Sequence, residues 1–167
     1  MHILRKEALE VAVIDPKKKV GEEGQYVRYR GDHPGLEKVL AEARANNQEI
    51  RRYVENIAAR DGGIVPLKYV LTEVPPMHVQ PFHSHTNVDE INLVSSGEIY
   101  FIESETLVEQ DSDQIREQGE LLRSGDVVVS ESEKRHTVAN LSDTYASLIG
   151  TISAKDSVPE FRPDWKR

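Results

Sequence analysis

Pro81-Phe82-His83-Ser84-His85-Thr86-Asn87-Val88-Asp89-Glu90 is the stretch from which the rest of the chain can be read. In an extended strand successive side chains alternate between faces, so His83 and His85 share one face, and two imidazoles there can grip one ion. Glu90 opens the next expected strand, across a short turn, where a carboxylate could supply a third ligand. A fourth candidate, His136, comes from far along the chain, followed by Thr137-Val138-Ala139-Asn140. Four polar groups converging in an apolar interior would each bear a desolvation cost, and one cation removes that cost for all of them.

Outward from this stretch the pattern is one of short strands and turns. Strands are expected over 64–74, 78–85, 89–94, 98–103, 126–130, 136–141 and 145–153. Short strands at regular spacing favour a sandwich or barrel, because a parallel sheet would need crossover helices that this half lacks. Segment 104–124, carrying Glu105, Glu109, Asp111, Asp113, Glu117 and Glu120, breaks the rhythm and reads as a long acidic surface hairpin or loop. Before Gly63 the texture differs. The first thirty residues are punctuated by Asp15-Pro16, Gly21, Gly24 and Gly31, as short strands or an arm would be. Over 34–60, Leu36, Leu40, Ala43, Ile50, Val54 and Ile57 keep one helical face apolar, which predicts one long helix or two short ones broken near Asn46-Asn47.

A chain of 167 residues suits one structural domain, and 38% hydrophobic with 30% charged residues suits a folded core with a solvated surface. Within it, 1–62 is expected to be an arm and helical segment packing on a barrel, 63–155 the barrel itself, and 156–167 a tail. With no cysteine, disulfides, thiolate metal sites and a cysteine nucleophile are all excluded, so a metal must be held by nitrogen and oxygen. A net charge of −8 opposes binding to nucleic acid or an anionic membrane surface. Lys17-Lys18-Lys19 and the basic residues of 162–167 read as a solvated loop and terminus. No signal-like leader and no run approaching the roughly 20 apolar residues of a membrane span is evident, so a cytoplasmic location is expected.

The spacing of these donors resembles the cupin superfamily. Its first motif is Gly, five residues, His-x-His, three or four residues, Glu, six residues, Gly; here His83, His85, Glu90 and Gly97 match. Its second is Gly, five residues, Pro-x-Gly, two residues, His, three residues, Asn; here Gly125, His136 and Asn140 match. Met77 stands where the first motif has Gly, while Glu131 and Glu133 replace the Pro and Gly of the second. The resemblance implies a mainly β fold, a cupin-type jelly-roll β-barrel (double-stranded β-helix) with an N-terminal helical segment. It also implies one divalent transition-metal ion on His83, His85, Glu90 and His136. Nitrogen and oxygen donors suit Fe, Mn, Ni, Co, Cu or Zn, and the resemblance puts Fe(II) first.

Strand parity turns Asn92 and Val94 inward with Glu90, and Val138 and Asn140 inward with His136, making Asn92 and Asn140 candidates to orient a ligand, a water or a substrate. His2, His33 and His78 read as surface or satisfied core residues. The expected function is a mononuclear oxygenase or isomerase acting on a small oxygen-rich metabolite through open metal positions, with no general base visible. The competing expectation is a binding or storage module that holds a small molecule on the metal without turnover. A homodimer is expected, because a jelly roll of this size exposes sheet edges.

Overall fold

A computed structural model describes residues 5–58, 64–86, 88–106, 111–154 and 160–163. In chain order the strands are β1 (Glu10–Ile14), β2 (Tyr26–Arg30), β3 (Glu49–Ala58), β4 (Ile64–Val74), β5 (His78–Val79), β6 (His83–Thr86) and β7 (Val88–Ser96). They continue with β8 (Glu98–Glu103), β9 (Glu120–Arg123), β10 (Val127–Ser130), β11 (His136–Asn140), β12 (Ala146–Ala154) and β13 (Glu160–Pro163). Helix α1 is Leu36–Ala45 and α2 is Ser112–Gln118. No helix among the described residues is long and apolar enough to cross a membrane.

The strands form two sheets. One has seven strands in the order β10-β7-β12-β4-β3-β1-β2; the other has the order β13-β6-β11-β8-β9, with β5 also on β11. Val74, Val94, Ala146 and Leu148 of the first pack on Ile99, Phe101 and Val138 of the second, all at most 7% exposed. Fully burying a side chain of this size contributes about 1.5–3 kcal/mol, so this shared apolar layer is what holds the sheets face to face. The expected barrel does not close: among the described residues no strand pair joins one sheet to the other. Both sheets instead end in edge strands, and β3, β1 and β2 widen the first.

The helix predicted over 34–60 is the largest departure. The break near Asn46-Asn47 is there, with Asn47 at φ 53°, and α1 precedes it, but the next element is the ten-residue strand β3. Ile50 and Val54 suit a helical stripe by spacing, yet β1 and β4 pair with β3 along both edges. Those ladders satisfy its backbone, and Ile50 is buried against Leu36, Leu40 and Ala43 of α1 together with Val11 and Val13. A short helix in place of β3 would leave β1 and β4 each unpaired along one edge and split the sheet between them. Segment 1–62, read as an arm on a barrel, therefore supplies three strands of the larger sheet.

Segment 104–124 is not a simple loop either. Asp111 accepts hydrogen bonds from the backbone N–H of Asp113 and Gln114, capping α2, and Ile115 anchors that helix at 0% exposure. Strand β9 then pairs with β8, and positions 107–110 lie outside the described residues. Within 156–167, read as a tail, β13 pairs with β6 from Glu160↔Thr86 to Pro163↔His83.

Both places where the cupin motif loses its turn glycine keep the turn. Met77 has φ 50° and Glu133 φ 67°, the left-handed region that costs an ordinary residue about 1–2 kcal/mol. The backbone path is thus set by the strands on either side, and the substituted side chains bear the strain.

Candidate metal centre

Strands β6 and β11 lie side by side with His83 opposite His136, and their ring centroids are 4.6 Å apart. His85, two residues on from His83, sits on the same strand with its ring centroid 5.0 Å from that of His83. Glu90 comes from β7 in the facing sheet. Three imidazoles from one sheet and one carboxylate from the other therefore meet between the layers, with one donor atom from each residue within 4.8 Å of all the others. All four donors named from the sequence are in this cluster.

The ring nitrogens are assigned by their partners. His83 Nδ1 lies 3.0 Å from Pro81 O and His136 Nδ1 lies 3.0 Å from Lys134 O. A carbonyl only accepts, so in each neutral ring Nδ1 carries the proton and Nε2 keeps its lone pair. Ser130 Oγ adds a second contact to His136 Nδ1 at 2.8 Å, and Phe101 stacks on the same ring with centroids 5.5 Å apart. Ser130 was not named from the sequence; it lies opposite Glu90 in the β10–β7 ladder, a pairing that motif spacing does not encode.

Glu90 Oε2 sits 2.6 Å from His85 Nε2 and 3.1 Å from His136 Nε2. Burial disfavours its charge, but the two imidazoles outweigh burial and hold the carboxyl well below its ordinary range. His83 moves the other way for a base: burial first, then the neighbouring His136, brings it down to about 4, so it stays a neutral donor at physiological pH. Three imidazole nitrogens and one carboxylate oxygen converge on one point, and this donor set fits a divalent metal ion held by His83, His85, Glu90 and His136.

Gly150 makes room for this arrangement. It lies opposite Asn92 in the β12–β7 ladder, and a Cβ there would stand 2.8 Å from Asn92 Oδ1 and 3.7 Å from Glu90 Oε1. Asn92, 5% exposed, borders the same cavity as the donors. Asn140 does not. Its Nδ2 donates to Val74 O at 3.0 Å and Thr144 O at 2.7 Å, while its Oδ1 accepts from Ser142. That side chain is spent on tying down the turn from β11 to β12.

The four donors stand at one end of a cavity of about 660 Å³. Its wall on the larger sheet follows from register. Asn92, Gly150, Val70 and Tyr53 form one row across β7, β12, β4 and β3, and Val94, Leu148, Thr72, Arg51, Ala12 and Arg28 form the next. Residues opposite one another share a face, so the inward face that carries Glu90 also carries Arg51 and Tyr53.

No protein-family model matches the chain, and no curated protein matches it. Solved structures do. The chain is similar to an uncharacterised conserved protein with a double-stranded β-helix domain from Klebsiella pneumoniae, at 14% identity and TM-score 0.50, covering 68% of this chain and 83% of that one. It is also similar to a Cupin 2 conserved barrel domain protein from Salinispora arenicola, at 17% identity and TM-score 0.48, covering 64% and 76%. A third similarity is to KdgF from Halomonas sp., at 18% identity and TM-score 0.47, covering 65% and 82%. At these identities the likeness is one of fold.

Proposed function

We propose that this chain, similar in fold to a protein with a double-stranded β-helix domain, is a metal-dependent cupin acting on a small oxygen-rich metabolite, as a mononuclear oxygenase or isomerase. The observation that carries this reading is the continuity between the four-donor cluster and the cavity. Donors from two facing sheets would hold the ion, and the cavity they border is of ligand size. Bound there, a divalent transition metal supplies Lewis acidity toward carbonyl or enediolate oxygens, or dioxygen chemistry if it is Fe(II).

The chain's own residues have separate tasks. Pro81 O and Lys134 O fix the two imidazole tautomers, Phe101 and Ser130 fix the His136 ring, and Glu90 lowers the charge of the site by one. Asn92 can orient a ligand oxygen beside Glu90. Val138 and Leu148 keep the adjoining wall apolar and reduce competing water.

A storage or binding module is the second reading. Asn92 and Val138, which join the donors in the cavity wall from β7 and β11, and Gly150 and Leu148 on the adjoining β12 include no titratable side chain, so among the described residues this part of the wall offers no general base. Metal analysis of untagged protein, followed by dioxygen-uptake and product assays against keto acids, diols and sugars, separates the two. Turnover supports the enzyme, and saturable binding without product supports the module. Substoichiometric metal in protein grown with iron, manganese, nickel and zinc would remove both. We also propose a homodimer, since Ile91, Val127 and Val129 expose apolar side chains along the β10 edge. Light scattering that finds only an 18.9 kDa species would refute it.

A further inference from the structure

Away from the donors, the cavity has a second polar end. Arg51 donates through Nε to Glu49 Oε1, while Glu49 Oε2 accepts from Gln80 Nε2 at 3.1 Å and faces His78 Nε2 at 3.1 Å. Glu49 is 1% exposed. Burial opposes its charge, but Arg51, His78 and Gln80 prevail and hold its carboxyl down at about 2. The carboxylate is thus fully engaged in fixing the Arg51 stem, and the guanidinium, which also contacts the Tyr53 side chain, borders the cavity. Beside them Tyr53 and Tyr26 share a hydrogen bond of 2.9 Å between hydroxyls.

The charge balance of this wall runs against that of the chain. The whole sequence carries −8, yet the cavity is bordered by four cations, Lys18, Lys19, Arg28 and Arg51, against two carboxylates, Glu49 and Glu90. Glu90 belongs to the donor cluster and Glu49 is spent on Arg51. Arg28 lies on the inward row with Arg51, and its partner Glu10 at 2.7 Å is an exposed surface pair of the kind a ligand displaces at little cost. Lys18 and Lys19 stand on the β1–β2 loop at the same end.

We propose that this wall, centred on Arg51 and Arg28, is an anion subsite that takes the carboxylate of an elongated, oxygen-rich acid whose other oxygens reach the four-donor cluster. The second half of that statement rests on the metal reading above; the first does not. Length follows from the sheet. Three strand steps separate β7 from β3, which carries Arg51, about 14 Å at the usual spacing, and side chains reach inward from both ends. Arg28, on β2 two steps farther, stands at the outer rim of the subsite. A two-carbon acid cannot bridge that gap, whereas a six-carbon chain is of the right order. Guanidinium pairs with a carboxylate through two parallel N–H donors, which also sets the ligand's orientation.

Calorimetric titration of the full chain, metal-free and Zn²⁺-loaded, tests this with gluconate, its neutral counterpart glucitol, glucitol 6-phosphate and glycolate. Gluconate is expected to bind at least about tenfold tighter than glucitol in both metal states, and tighter than glycolate, which carries the carboxylate but cannot span the cavity. Arg28→Gln, and Arg51→Gln made together with Glu49→Gln so that no buried charge is orphaned, should each shrink the gluconate-to-glucitol ratio several-fold with Zn²⁺ content unchanged. Arg28 is at the exposed rim, so its variant reads the subsite even if the double variant folds poorly. Equal binding of gluconate and glucitol, no binding of gluconate at millimolar concentration, or a ratio unmoved by Arg28→Gln would overturn the proposal. Tighter binding of glucitol 6-phosphate than of gluconate would overturn the carboxylate assignment in favour of a phosphate ester. Loss of Zn²⁺ binding with the ratio intact would refute the metal reading and support the subsite.

Discussion

Glu49→Gln removes one buried negative charge at almost constant volume. Two routes give the size of the effect. The carboxyl moves from an ordinary 4.5 to about 2 in the folded chain, which at about 1.36 kcal/mol per pH unit is worth about 3 kcal/mol. Independently, removing one partner of a buried ion pair costs about 3–5 kcal/mol, and the lower end applies because the Arg51 side chain keeps 25% exposure. A loss of about 3 kcal/mol at pH 7 should lower the thermal midpoint by about 6–12 °C in a chain of this size. The folded-state value is depressed, so the stabilisation is complete above the unfolded value of 4.5 and is lost as pH falls toward 2. Wild type and variant should therefore converge on acidification, with about half of the difference left at pH 3. Urea denaturation followed by circular dichroism at pH 7, 4.5 and 3 measures this. A variant as stable as wild type at pH 7, or a gap unchanged at pH 3, refutes the ion-pair account of the cavity wall.

Four further outcomes are expected. His83→Ala and His136→Ala should each lower metal content severely, since each removes one of four protein donors, and wild-type stoichiometry in either by atomic emission would sink the site. Metal should be lost on acidification, because an imidazole must be neutral to bind and its ordinary value is about 6.5, and full occupancy kept well below that pH in a dialysis series would contradict histidine ligation. Glu90→Gln should leave the fold near normal while weakening metal affinity and any turnover, even with metal in excess; unchanged turnover or ligand binding in the refilled variant makes the carboxylate a spectator. Met77→Gly and Glu133→Gly relieve positive-φ strain and should each raise stability by up to about 1 kcal/mol in urea denaturation, less whatever the unfolded chain gains in freedom. A clear loss in both would mean that those side chains pack usefully.

The donors could be read from the sequence because their relations are local or short in register. His83 and His85 share a face by strand parity, Glu90 follows across one turn, and the second motif keeps His136 at its spacing although Glu131 and Glu133 replace its Pro and Gly. The strand-rich second half was legible for the same reason, since period-two alternation is carried by neighbouring residues. What the tertiary structure decided is pairing. Ile50 and Val54 fit a helix by spacing, and only β1 and β4 on either side make that segment a strand. Acidic residues after Ser104 suggested a loop, and Ile115 docking beneath β8 and β11 made part of it a helix. Asn140 matched the motif as a candidate for the site, but Val74 O, Thr144 O and the Ser142 N–H claim its amide. His78 is a satisfied residue as expected, yet its partner, Glu49, stands 29 residues away on another strand. The Glu49–Arg51 pair carries a sharper lesson. Its two side chains share a face by parity alone, but which face turns to the cavity, and what stands opposite, depends on contacts between sheets that no window of sequence contains.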